Sequence, residues 1–118
     1  MKMNLRQSYL AMFYLLDGYY DKTKNDVLGT ILGSLNPYLF ADEMPADQAA
    51  WADWKDCIQR AFNKENLSSK EALQAVAVFL DFYQEEFGYD LNWLLNELKN
   101  NQSTEKWEDI VQKVTSTD

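Results

Sequence analysis

The stretch that most constrains this chain is Leu67 to Gly88, LSSKEALQAVAVFLDFYQEEFG, which is punctuated as one long helix. Ser68 followed three residues later by Glu71 is a capping-box pattern, in which hydroxyl and carboxylate each satisfy a backbone N–H that the first turn would otherwise leave unpaired. Gly88 supplies the stop, because glycine enters the left-handed region that closes a last turn, and no other glycine or proline falls within the stretch. At roughly 100° per residue, Ala72, Leu73, Val76, Phe79, Leu80, Tyr83 and Phe87 share one broad face, widened by Ala75, Val78 and Phe82. Lys70, Gln74, Asp81 and Glu85 are left as a narrow polar stripe. A helix so widely apolar needs neighbours around most of its circumference, so the expected fold is an all-α bundle of five or six helices around a central helix at about residues 68–87.

The flanking sequence supplies those neighbours. Leu5, Tyr9, Met12, Phe13, Leu16, Tyr19 and Tyr20 recur at helical spacing from Leu5 to about Lys22, with Asn4 as a cap. Gly18 weakens that helix or lets a neighbour approach, and Tyr14 lies on its other side, as a half-exposed residue or part of a contact surface. A shorter helix is expected from Asp26 to about Ser34, with Val27, Leu28, Ile31, Leu32 and Leu35 inward and Gly29 and Gly33 allowing close packing. Pro37 and Pro45 forbid a continuous helix through LNPYLFADEMPA, so residues 35–46 are expected as a loop whose Tyr38, Leu39 and Phe40 fold back or bind something. Asp47 then caps a helix to about Asn63, with Trp51, Trp54, Ile58, Ala61 and Phe62 inward and Asp53, Asp56 and Arg60 outward. After Gly88, Asp90 caps a fifth helix with Leu91, Leu94, Leu95 and Leu98 inward and Trp93 on the other side. The last helix runs from about Thr104 to Val114 through Trp107, Ile110, Val111 and Val114, with a tail at about 115–118 expected to fray. No alternating apolar pattern of strand length is present, so no sheet is expected.

Composition narrows the functional classes. The 118 residues fit one domain spanning 1–118, and 47% hydrophobic content is enough for a core. No histidine occurs anywhere, which removes the commonest general base, nucleophile activator and transition-metal ligand together. One cysteine, Cys57, allows no internal disulfide, suits a reducing compartment, and reads as a small half-buried packing residue. Asp17 with Asp21, and Asp53 with Asp56, could each hold a hard cation on a helix face. Such pairs are common on helix surfaces, however, and no calcium-loop or phosphate-loop pattern accompanies them. The expectation is a non-enzyme without metal or cofactor. The apolar run YLAMFYLL is cut short by Asp17, lacks a signal-peptide cleavage pattern, and is too short to span a membrane.

Charge carries more information. The net formal charge is -8, which repels a phosphate backbone and argues against nucleic-acid binding. The acid is concentrated: residues 37–57 sum to -4 through Asp42, Glu43, Asp47, Asp53 and Asp56 against Lys55, and residues 81–97 to -5, whereas residues 1–24 sum to +2. Such clusters serve as solvated faces, or they steer a basic partner to a docking surface.

The segments RQSYLAMFYLLDGYYDKTKNDVLGTILGSL, MPADQAAWADWKDCI and EALQAVAVFLDFYQEEFGYDL resemble the small helical immunity proteins encoded beside bacterial polymorphic toxins, including contact-dependent growth-inhibition systems. The likeness runs across most of residues 6–91 and implies a cytoplasmic protein that binds one toxin domain, often a nuclease, and blocks its active or substrate-binding surface. It carries no individual functional residue with it. Joined to the charge count, it makes Asp42, Glu43, Asp47, Asp53 and Asp56 the first candidates for docking in a one-to-one complex. Asp81, Glu85 and Glu86 come second, and Tyr38 or Phe40 would be apolar anchors. The alternative is a helical interaction module or homo-oligomeric subunit using Tyr38, Leu39, Phe40 and Trp93.

Overall fold

The computed structural model describes residues 2–36, 48–100 and 105–116. The central helix forms as its punctuation predicts: α4 spans Ser69–Phe87. Its Ser68 hydroxyl accepts from the Glu71 N–H at 3.2 Å, and the Glu71 carboxylate accepts from the Ser68 N–H at 3.0 Å. Gly88 closes the other end at φ 72°, donating its N–H to the Gln84 carbonyl at 3.0 Å. Only a residue without Cβ takes that conformation at no cost.

The other helices are α1 Leu5–Thr23, α2 Asp26–Leu35, α3 Gln48–Phe62, α5 Asn92–Asn100 and α6 Glu105–Ser116. The fold is all-α. One expectation is corrected: β1, Lys2–Met3, pairs antiparallel with β2, Leu67–Ser68. A two-residue ladder is too short to leave an alternating pattern. It forms because Met3 and Leu67, both fully buried, bring their backbone groups out of water together. Each strand leads straight into a capping box, the first built by Asn4 and Gln7 at 2.8 and 2.9 Å.

α3 and α5 flank α4, while α1 contacts α4 and packs mainly on α2 and α6. Phe79, fully buried in the middle of α4, meets Trp54 of α3 edge-on at 5.4 Å. Tyr9 of α1 packs edge-on against Trp51 and Trp54 and donates its hydroxyl to the Leu35 carbonyl at 2.6 Å, one of the carbonyls that the end of α2 leaves without a helical partner. Trp107 of α6 donates its indole N–H to the Ser69 carbonyl at 2.9 Å, and Ser69 in turn donates to Glu108 at 2.8 Å, fastening α6 to the start of α4. The turn into α5 is held by Gln84, which accepts from the Leu91 N–H at 2.7 Å and donates to Asn92 at 3.1 Å.

Smaller corrections follow from packing. In α3, Ala61 is exposed although its phase places it on the inward stripe, Cys57 is buried rather than half-buried, and Trp51 and Phe62 are only half-buried. α6 continues through Thr115 and Ser116, where fraying was expected. Gly29 lies where a Cβ would come within 2.8 Å of the Tyr20 ring, so it does permit close packing of α1 on α2, but among the described residues nothing comes within 4 Å of a Cβ at Gly33. Gly18 is overlain by the Lys106 side chain, and Tyr14 is half-buried beneath the Lys113 ammonium, 4.9 Å from its ring centroid.

Candidate functional site

The polar stripe of α4 reaches the surface as its spacing requires. Lys70, Gln74, Asp81 and Glu85 are all exposed, and Val78, 38% exposed, lies among them. Glu86 is exposed in the last turn. Phe87, expected on the core face, is instead 53% exposed, the most exposed large apolar side chain among the described residues. Its wheel position points towards the core side, but burial also needs a neighbour at the same height, and the chain turns away at Gly88. Phe87 rests on Tyr83 at 5.0 Å and meets Tyr89 at 6.1 Å.

On α3, Asp53 is half-buried, while Asp56 and Arg60 are exposed. Arg60 donates to the Asp56 carboxylate, so one of the two acids on this row is neutralised within its own helix. Cys57, between them, is buried; burial pushes its thiol up to about 11, outweighing the opposite pull of Arg60, so the thiolate a nucleophile or metal ligand would need is absent near neutrality. Asp42, Glu43, Asp47, Tyr38 and Phe40 lie outside the described residues.

The two acidic helices pack on each other through Trp54 and Phe79, so the α3 row and the α4 carboxylates belong to one helix pair. Their electrostatic situations differ. Asp56 has its arginine, whereas Asp81, Glu85, Glu86 and Asp90 have no ion-pair partner among the described residues. Asp21 pairs with Lys24 at 3.3 Å, away from this region of the sequence. Among the described residues no three Asp, Glu or Cys side chains are grouped so as to hold a metal ion. Glu71 is strongly perturbed: its hydrogen bond with Lys64, at 2.7 Å, and that with the Ser68 N–H hold its carboxyl down at about 2, a structural role at the helix start.

Comparison with family models, with curated proteins and with solved structures found no match. The functional reading therefore rests on the chain's own surface. Two further features of that surface are a hollow of about 340 Å³ between α4 and α5, floored by Leu73, Ala77, Leu95 and Leu98 with Lys70 and Lys99 at its edge, and the half-buried Trp93. The indole N–H groups of Trp93 and Trp54 are enclosed without a hydrogen-bond partner, each a cost to stability. With Val78 and Ala61, Phe87 is a surface residue that the periodicity places on an apolar face. The available clue was its position next to the closing glycine, where a helix outruns its neighbours.

Proposed function

We propose that this chain is an immunity-type inhibitor that binds a basic toxin domain, a nuclease in the fullest form of the reading, in a one-to-one complex. The observation that carries it is the run of exposed carboxylates on and after α4, Asp81, Glu85, Glu86 and Asp90, which have no ion-pair partner among the described residues, in a chain of net charge -8 without histidine. Clustered charge of one sign raises the encounter rate with an oppositely charged partner and rejects like-charged competitors. Inhibition needs no bond to be broken. An acidic surface seated over the positively charged groove that receives nucleic-acid phosphate blocks substrate by volume and by charge. In the same reading Asp53 and the acids of residues 37–47 would be further docking candidates, and the site of action would be the cytoplasm, where a toxin reaches its target. No described helix is long and apolar enough to cross a membrane.

The test is protection of a bacterium expressing the toxin domain encoded beside this chain's gene, together with the affinity of the purified pair at low and high salt. Protection and an affinity that falls steeply with salt are expected. Absence of both protection and binding would refute the reading. A homo-oligomeric subunit is the competing class. Exposed Phe87 favours it, but the exposed carboxylates of the same helix would repel those of a second copy, so the chain is expected to run as a monomer at low micromolar concentration in sizing chromatography.

A further inference from the structure

Trp54, Phe79, Tyr83 and Phe87 form a ladder of rings from the middle of the core to the C-terminal end of α4, with successive centroids 5.4, 4.6 and 5.0 Å apart. The three inner rings are buried and the outer one, Phe87, stands 53% exposed. A ring held along its inner edge by Tyr83 has little freedom left to lose when a partner covers it. That is the condition under which an exposed aromatic becomes a strong interface anchor.

The charges beside it are arranged against the helix's own stability. A helix C-terminus carries partial negative charge and favours Lys or Arg nearby, yet the last turn of α4 has no basic residue and holds Glu85 and Glu86. Asp90, beyond Gly88, adds to the negative charge but accepts from the Asn92 N–H at 3.3 Å at the start of α5, where an acid is favoured. None of these three acids has an ion-pair partner among the described residues. We infer that the C-terminal end of α4 is the docking surface for a cationic protein surface. Phe87 enters an apolar pocket of that partner, and Glu85 and Glu86 pair with lysines or arginines around the pocket's rim. The inference rests on the inhibitor reading above and narrows it from two acidic stretches to one helix end.

Binding of the toxin domain encoded beside this chain's gene, measured by calorimetry with the full chain, tests it. Phe87→Ala is expected to keep the helical spectrum and to bind roughly 30-fold more weakly or worse, the scale of a hot-spot truncation. Glu85→Lys with Glu86→Lys is expected to weaken binding and flatten its salt dependence while melting no lower than wild type, since lysine suits a helix C-terminus. Asp17→Lys with Glu65→Lys makes the same change in net charge at two exposed positions elsewhere, and should stay within about threefold of wild type. If wild type binds but Phe87→Ala and the double lysine variant also stay within about threefold, this surface is wrong and the inhibitor reading survives. If wild type does not bind, both fall. A double lysine variant that melts lower than wild type would overturn the claim that these acids are kept against stability.

Discussion

Phe79 and Phe87 are the same residue type on the same helix, eight positions apart, and the packing assigns them opposite energetics. Phe79→Ala removes a ring with no exposed surface that touches Trp54 at 5.4 Å and Tyr83 at 4.6 Å between centroids. Losing about 150 Å² of buried apolar surface at ~25 cal/mol per Å² corresponds to about 4 kcal/mol. Core Phe→Ala substitutions, which include the cavity left behind, fall at about 3–5 kcal/mol. For a domain of this size each kcal/mol lowers the melting temperature by about 3–5 °C, so a drop of about 10–20 °C is expected. Urea titration followed by circular dichroism should show the midpoint moving with little change in slope, because the surface exposed on unfolding hardly changes. Phe87→Ala should cost less than about 1 kcal/mol in the same assay, since over half of the ring is already in water. Equal losses at the two positions, or a Phe79→Ala loss below about 1 kcal/mol, would refute both the central role of α4 and the exposure of its last turn.

Ser68→Ala should cost about 1 kcal/mol in the same urea titration, through the lost capping contact to the Glu71 N–H, and an unchanged midpoint would show that the box contributes nothing. Glu71 is held at about 2 when folded against an ordinary 4.5, so its contribution to stability is present above about pH 4.5 and is lost as pH falls towards 2. Stability measured from pH 6 to 2 should therefore fall less steeply for Glu71→Gln than for wild type, and parallel curves would refute the Lys64 and Ser68 contacts as the cause. Thermal melts with EDTA, magnesium or calcium should coincide, and a rise in melting temperature below millimolar cation would reveal a site and revive carboxylate chemistry.

The helices were legible because their signals are local. A capping box, a closing glycine and a 3.6-residue apolar period depend on residues within a turn or two of one another, so the bounds of α4 follow from residues 67–88 alone, as does the placing of Phe79 and Leu80 inside. The same holds for Asp56 and Arg60 of the expected outward row, although not for the half-burial of Asp53 or for the bond that lets Arg60 neutralise Asp56. Other features came only from contacts between distant residues. The β1–β2 ladder pairs Lys2 with Ser68 and Met3 with Leu67, far apart in sequence, and is too short to leave a period. Cys57 is more buried and Ala61 less buried than expected because both sit near the edge of the apolar arc of α3, where the neighbouring helix, not the phase, decides. Phe87 shows the limit most plainly. Periodicity gives the direction in which a side chain leaves its helix, but only the tertiary structure decides whether anything stands there to cover it, and at the last turn of α4 little does.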